Sequence, residues 1–305
     1  MNDVSSRCDV MGVIGNGATH SVQRDAGIDT ANLLIAVTGS DELNLLCCLI
    51  AKKAGNCHTI ARVRNPEYYS ESQFLKDELG LAMVINPEFA AASEIARVLR
   101  FPCAIKIDVF GRGRVELLKF RLPENSPLAG CAVKEIVTKL HCDVLVCTVE
   151  RGDEVHIANG EFVFEEKDVI SIVAATRKAG EFFRKIKYKM NSVKDVMVVG
   201  GGEIGHYLCE QLIRSGMSVK LIEKDPARCE TLCATLDDGV AVINGDASDQ
   251  NILVESGLEQ TGAFVALTNL DEENILLSLF AKSVCDCKCV TKINRIGFDN
   301  VISKL

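Results

Sequence analysis

The chain repeats part of itself, and this repeat limits the fold more than any other feature. Residues 13–55 and 242–284 carry apolar runs, small-residue turns and helix-like segments in the same order. From Gly27 and Gly257 onward the separation is a constant 230 positions, with these matches: Thr38 with Thr268, Asp41 with Asp271, Asn44 with Asn274, Ala51-Lys52 with Ala281-Lys282, and Arg62 with Lys292. So many matches in order predict two copies of one structural unit.

Each copy alternates strand-like and helix-like segments. The order is a strand before a small-residue turn (Asn16-Gly17 in the first copy), a helix, a strand before a Thr, an acidic pair, and a second helix. Alternation of this kind is typical of parallel sheets covered by helices. We therefore expect an α/β fold class in which a Rossmann-like parallel sheet unit is duplicated.

The segment between the copies has a different character. Residues 86–101 predict a helix that begins at Pro87 and is ended by Pro102, whereas short β-rich runs with turns follow over 103–175. They predict a small β-rich α+β lobe. Residues 176–194 carry seven Lys and Arg and are interpreted as a solvated linker helix, in preference to a nucleic-acid or lipid contact. The expected domains are the two repeat copies, the β-rich lobe and the linker. The copies comprise residues 1–101 and 195–305, the lobe comprises 102–175, and the linker comprises 176–194.

The duplication is incomplete at both ends. The second unit starts near Val193, so its counterpart in the first copy would lie before Met1. We expect the first copy to lack its opening strand, glycine loop and second strand, and the second copy to lack a β-rich lobe. Either the chain is a fragment, which is the favoured explanation, or a partner supplies the rest.

Composition excludes several functional classes. A net charge of −8 over 305 residues argues against a nucleic-acid groove. Apolar runs such as Leu45–Ala51 are too short to span a bilayer, and the N-terminus has no signal pattern. Fourteen Cys in such a chain suggest reduced thiols, and Cys285, Cys287 and Cys289 are interpreted as strand residues and not as a metal site. The chain is expected to be cytosolic.

A glycine motif opens the second copy. The buried-type strand Val196–Val199 leads into G-x-G-x-x-G, which comprises Gly200, Gly201, Gly202, Glu203, Ile204 and Gly205. In such a motif the first glycine permits a tight turn, the second lets a pyrophosphate approach the backbone, and the third lets the helix pack closely. The following helix, to about Ser215, would direct its N–H groups at the phosphates. A dinucleotide site is the favoured interpretation, and a plain glycine turn is the alternative.

Further polar residues follow the other strands of this copy. Glu223 ends the next strand, where a carboxylate accepts hydrogen bonds from ribose hydroxyls and favours NAD(H) over NADP(H). Gly245-Asp246 and Thr268-Asn269 should line the same crevice, since ligands bind beyond the carboxyl ends of parallel strands. Asp246 either reaches the adenine or caps the next helix.

These stretches resemble the TrkA family of peripheral NAD-binding subunits of Trk potassium uptake systems. The resemblance covers nearly the whole chain and rests on these segments: "GNGATHSVQRDAGIDTANLLIAVTGSDELNLL", "TIARVRNPEY", "VVGGGEIGHYLCEQL", "LIEKDP" and "INGDASDQNILVESG". It implies Rossmann-like (RCK) lobes, a crossover helix and a C-terminal regulatory lobe over 105–175. It also implies a homo-oligomeric ring on the cytosolic face of a membrane potassium transporter of the TrkH or KtrB type. NAD(H), and ATP or ADP in some members, would shift that ring between shapes that gate the pore.

The resemblance also assigns binding residues. The second-copy site would use Gly200–Ile204, Glu223, Gly245-Asp246, Thr268-Asn269 and Lys292, where the family often has Arg. The matching residues of the first copy are Asn16, Gly17, Thr38, Gly39 and Arg62. Because its glycine loop is missing, the first half-site is expected to bind nucleotide poorly or not at all.

The rival hypothesis is an NAD-dependent oxidoreductase with an unidentified substrate. Such an enzyme needs a proton donor or acceptor near the nicotinamide. No Tyr is followed by Lys four residues later, and His206 is assigned to the phosphate-side helix as an ordinary helix residue. A sensor without catalytic residues is therefore favoured. A purely structural scaffold, the third class, would bind no nucleotide.

Overall fold

The computed structural model describes residues 8–101, 104–111, 114–152, 154–186, 188 and 193–295. Within these ranges three sheets are formed, and the chain divides into two compact units. These are Met1–Ser93 with Gly201–Leu208, and Glu94–Gly200 with Cys209–Leu305. Within the described ranges, no helix is both long enough and apolar enough to cross a bilayer.

The first sheet is parallel and has the order β1-β2-β3. Its strands are β1 (Leu33–Ala36), β2 (His58–Arg62) and β3 (Met83–Ile85). Its helices are α1 (His20–Asp25), α2 (Asp41–Gly55), α3 (Pro66–Ser70), α4 (Ser72–Leu79) and α5 (Pro87–Arg100). As predicted, α5 begins at Pro87, and Asn86 Oδ1 accepts a hydrogen bond from Phe89 N at 2.8 Å. The predicted stop at Pro102 lies outside the described residues.

The β-rich lobe is an antiparallel sheet in the order β4-β5-β8-β6-β7. Its elements are β4 (Ala104–Phe110), β5 (Val115–Arg121), α6 (Glu135–Leu140), β6 (Leu145–Arg151), β7 (Glu154–Ile157) and β8 (Val169–Ala175). Alternate residues of β5 are buried, as expected for a sheet with one covered face.

The predicted solvated linker over 176–194 needs correction. Residues 176–185 form a helix, α7 (Thr176–Lys185), and Phe182 and Phe183 are buried in the core of the β-rich lobe. The ring of Phe183 lies 4.9 Å from that of Phe120. The cationic side chains of Lys178 and Arg184 stay exposed, so the helix is amphipathic and covers the sheet. Residues 187 and 189–192 of the predicted linker lie outside the described residues.

The second parallel sheet has five strands in the order β11-β10-β9-β12-β13. Its strands are β9 (Asp195–Val199), β10 (Ser218–Glu223), β11 (Val240–Asn244), β12 (Ala263–Ala266) and β13 (Lys288–Thr291). Its helices are α8 (Glu203–Arg214), α9 (Pro226–Thr235), α10 (Gln250–Glu255) and α11 (Asp271–Val284). Strand β9 is central and pairs with β10 and β12, so the sheet has the order 3-2-1-4-5, which is that of the first five strands of a Rossmann fold.

The strand expected before Asn16-Gly17 does not form, which corrects that prediction. Residues 10–14 have no strand structure, and Met11 and Ile14 are exposed. Their equivalent in the second copy, β11, is a strand because it pairs with β10. The described part of the first copy contains no strand equivalent to β10, so the apolar run has no neighbour with which to pair.

The same difference leaves β1 with an open edge. In the second copy β12 lies between β9 and β13, and Val265 is fully buried. The equivalent residue of β1, Ile35, is 55% exposed, because β1 pairs with β2 alone among the described strands. The two copies therefore have the same local sequence pattern but very different burial.

Candidate nucleotide site

The glycine loop follows the central strand of the second sheet directly. Gly200 has φ +103°, a backbone conformation that favours glycine, and its N–H donates to Ile222 O at 2.9 Å. A Cβ at this position would lie 2.9 Å from Leu267 O, closer than real Cβ contacts allow. Gly200 is therefore required both by its backbone angle and by the neighbouring strand end.

The rest of the loop leads into α8. Gly202 is exposed, and a Cβ there would meet no atom within 4 Å. Its carbonyl accepts from His206 N at 2.9 Å, so the helix begins at Glu203. The remaining predicted loop residues take these positions: Gly201 and Gly205 buried, Glu203 and Ile204 half-buried. The open space above Gly202 is where a pyrophosphate could approach the backbone N–H groups.

Glu223 lies at the carboxyl end of β10, as predicted. It is half-buried, and its Oε1 accepts from Asp225 N at 2.9 Å. Its backbone carbonyl accepts from Gly245 N at 2.9 Å and from Asn244 Nδ2 at 3.1 Å. These bonds fix the ends of β10 and β11 beside each other, with a carboxylate at the edge where ribose binds in Rossmann sites.

Asp246 does not cap the next helix. Its Oδ1 accepts from Ser248 N at 2.9 Å and from Ser248 Oγ at 2.7 Å, and the hydroxyl bond lowers the pKa of this carboxyl below its usual value. The cap of α10 is instead Asp249, whose Oδ1 accepts from Asn251 N at 3.0 Å. Of the two roles considered for Asp246, the helix-cap role is therefore wrong, and contact with adenine remains a prediction.

Thr268, Asn269 and Lys292 are brought together at the ends of β12 and β13. Lys292 Nζ lies 3.4 Å from Asn269 Oδ1. Thr268 N donates to Asn274 Oδ1 at 2.9 Å, and Asn274 Nδ2 donates to Lys292 O at 3.0 Å. A cation therefore lies beside the carboxyl ends of both strands, as a phosphate-binding site needs.

Two residues outside the predicted site hold it together. The buried Asn274 joins the ends of β12 and β13, and Asp271 accepts from the backbone N–H groups of Asn294 and Arg295 at 2.9 and 3.1 Å. The Asn294 bond lowers the pKa of Asp271. The first copy has the same arrangement, since Asn44 Nδ2 donates to Arg62 O at 3.0 Å. The repeat contained the signal, because these residues recur in both copies.

Loss of the Asn274 amide should destabilise the second sheet. We expect Asn274→Ala to lower the free energy of unfolding by about 2–3 kcal/mol, because it leaves part-buried backbone groups of two strand ends unsatisfied. The exposed Asn269→Ala is the matched control and should change it by about 0.5 kcal/mol or less. Urea unfolding followed by circular dichroism measures both. Equal effects would show that the Asn274 bonds do not hold the strand ends.

The predicted residues of the first copy have partners within that copy. Arg62 forms an ion pair with Glu88 of α5, and Gly39 O accepts from the Arg64 guanidinium. Asn16 Oδ1 accepts from Ala18 N at 3.0 Å within its own turn. The cation that matches Lys292 is thus already neutralised by a carboxylate.

A cavity of about 540 Å³ lies in the first copy where the second copy has packed strands. Its lining includes Met11, Val13, Val37 and two predicted site residues, Gly17 and Thr38. In the second copy Met197 and Val199 of the central strand pack in the core beside Phe264. The first copy thus has a mainly apolar cavity and, in its described part, no glycine loop.

The described cysteines are not grouped as metal ligands. All described cysteines are free thiols, and Cys287 Sγ lies 3.7 Å from Cys289 Sγ on β13. No group of three His, Cys, Asp or Glu within the described ranges is placed to hold a metal ion.

The fold is that of RCK domains. The chain is similar to the crystal structure of the GsuK RCK domain, with a TM-score of 0.64, 18% identity, and coverage of 93% of this chain and 59% of that one. It is also similar to the GsuK channel bound to NAD, with a TM-score of 0.60, 18% identity, and coverage of 92% and 50%.

Family models give the more specific result. The TrkA-N domain matches residues 2–87 and 196–305, and the TrkA-C domain matches residues 117–187. The chain belongs to the TrkA family. It is 35% identical over 290 residues to the Trk system potassium uptake protein TrkA homolog of Archaeoglobus fulgidus, which covers 95% of this chain and 65% of the relative. The chain thus spans just under two thirds of that relative's length.

Proposed function

We propose that the chain is a nucleotide-sensing regulator that gates a membrane potassium transporter of the TrkH or KtrB type from the cytosolic face. NAD(H) binds at the glycine loop of the second copy and shifts the protein between two shapes. A ligand shifts such an equilibrium when it binds the two shapes with different affinity, and a tenfold difference corresponds to about 1.4 kcal/mol. Regulation of this kind needs no catalytic step.

One observation carries the nucleotide assignment. Gly200, in a positive-φ conformation at the end of the central strand, leads into the open Gly202 at a helix N-terminus, and Glu223 ends the neighbouring strand. This is the arrangement that holds a pyrophosphate and a ribose in Rossmann sites. The GsuK channel, whose fold is similar, has a structure in which it is bound to NAD, and this supports the choice of ligand.

The proposed assembly is a homo-oligomeric ring. Leu46 of α2 and Leu276 of α11 are equivalent residues, and both are exposed although they are large and apolar. Exposed apolar residues that recur in both copies are suited to packing against further copies of the same chain. We assign residues 1–101 and 195–305 to the two nucleotide-domain copies. Because α7 packs in the β-rich lobe, the intervening lobe extends through residue 186.

The oxidoreductase alternative is less well supported. His206, the histidine nearest the glycine loop, is 5% exposed, and its ring lies edge-on to that of Tyr207 at 5.9 Å. A buried ring on the phosphate-side helix is poorly placed to exchange a proton with a nicotinamide.

Glu223→Ala tests the proposed site. We expect it to weaken NADH binding about 10- to 100-fold, because hydrogen bonds to a charged group contribute about 1.5–3 kcal/mol. Glu230→Ala, an exposed carboxylate on α9, is the matched control and should leave binding unchanged. Isothermal titration with NAD+ and NADH, with ATP and ADP as competitors, measures the change.

Turnover separates the function classes. The sensor consumes no NADH in the presence of oxidised carbonyl substrates, whereas an oxidoreductase shows steady loss of absorbance at 340 nm. Robust turnover would overturn the proposal. A purely structural scaffold would bind none of the nucleotides.

A further inference from the structure

Tyr207 connects the start of α8 to the first copy. Residues Gly201–Leu208 belong to the same compact unit as the chain up to Ser93. Within that unit the Tyr207 hydroxyl donates to Arg64 O at 2.8 Å and accepts from Asn86 Nδ2 at 3.0 Å. The side chain is 4% exposed. A buried hydroxyl with two hydrogen bonds is held in one position.

An aromatic cluster fixes the ring of Tyr207. It lies edge-on to Phe89 with ring centroids 5.3 Å apart, and edge-on to Tyr69 at 6.1 Å. Edge-to-face pairs of this kind add stabilisation beyond the buried area and restrict rotation. The ring and the hydroxyl therefore couple the N-terminal part of α8 to two elements of the first copy.

Both hydrogen-bond partners lie in loops at the carboxyl ends of strands of the first sheet. Arg64 follows β2, and its backbone N–H donates to Asp41 Oδ2 at 2.7 Å. This hydrogen bond is the first-copy equivalent of the one that Asp271 accepts in the second copy. Asn86 follows β3 and caps α5 through Phe89 N. Helix α5 continues to Arg100, which pairs with the buried Glu116 of the β-rich lobe. Burial raises the pKa of Glu116.

We propose that Tyr207 is the positioning residue that transmits nucleotide binding from the glycine loop to the strand-end loops and α5 of the first copy. This inference rests on the proposed function, since it needs a nucleotide at residues 200–205. The first copy then receives the signal and does not bind nucleotide itself. A phosphate that orders the first turn of α8 also orders the Tyr207 hydroxyl and, through it, the cap of α5.

Hydrogen–deuterium exchange on the whole chain tests this role. Saturating NADH is expected to slow exchange of the amides in residues 86–93 of the unsubstituted chain about fivefold or more, the lower end of usual coupling between sites. In Tyr207→Phe, which keeps the ring and removes the hydroxyl, this protection should disappear. NADH affinity of that variant, measured by calorimetry, should stay within about threefold because no proposed ligand contact is removed.

Tyr69→Phe is the matched control. Tyr69 belongs to the same aromatic cluster, and its hydroxyl has no hydrogen bond within the described residues, so NADH-dependent protection should persist. Protection that is the same in Tyr207→Phe as in the unsubstituted chain overturns the role of Tyr207 and leaves the nucleotide site standing. Protection lost equally in both variants also overturns it, since the loss would then not depend on the two hydrogen bonds of the Tyr207 hydroxyl. Failure of the unsubstituted chain to bind NADH overturns both this inference and the proposed function.

Discussion

Gly200→Ala is expected to lower the free energy of unfolding by about 3 kcal/mol or more, whereas Gly202→Ala should change it by about 1 kcal/mol or less. Gly200 has φ +103°, and an added Cβ would lie 2.9 Å from the backbone oxygen of Leu267. Backbone strain of this kind costs about 1–3 kcal/mol, and a clash with backbone atoms adds to it. At Gly202 the same Cβ meets no atom within 4 Å.

Gly200→Ala and Gly202→Ala also separate an effect on stability from an effect on nucleotide binding. Gly202→Ala places its methyl group where the pyrophosphate would approach, so NADH affinity should fall about tenfold or more although the protein stays folded. Urea unfolding and calorimetry measure the two quantities on each variant. If Gly202→Ala bound NADH as tightly as the unsubstituted chain, the loop would not be the phosphate site.

Val265→Asp should unfold the second sheet, while Ile35→Asp should be tolerated. The two positions are equivalent in the repeat. Val265 is fully buried on β12, which lies between β9 and β13, whereas Ile35 on β1 is 55% exposed. A carboxylate without a partner in the core costs several kcal/mol. The same substitution on an exposed edge costs about 1 kcal/mol or less.

Circular dichroism and urea unfolding of both variants test this difference. A similar loss of stability in both would mean that β1 is covered in solution. A tolerated Val265→Asp would contradict the interior position of β12 between β9 and β13.

The sequence could predict features that depend on local chemistry. Three such features follow from residue types and spacing. They are the register of the repeat, the strand–glycine–helix order at Val196–Gly205, and the start of α5 at Pro87. The parallel sheets and the β-rich lobe are confirmed for the same reason. Glu223 could be placed at a strand end because the length of a strand limits where its end falls.

Features that depend on pairing partners could not be predicted. Residues 10–14 have a strand-like sequence, but a strand needs a neighbour, and the described part of the first copy offers none. Phe182 and Phe183 stand in a basic segment whose charges suggested a solvated linker, and only the fold shows the sheet that they cover. Likewise, Tyr207 is an ordinary helix residue in the sequence, and its partners Arg64 and Asn86 lie far away along the chain.

The number of NADH molecules bound by each chain tests the central claim most directly. Isothermal titration of the whole chain with NADH should give a stoichiometry of one, because the second copy has a complete loop and Glu223, while Arg62 in the first copy is paired with Glu88. A stoichiometry of two would show that the first copy binds nucleotide as well. The absence of binding would contradict the account of the glycine loop altogether.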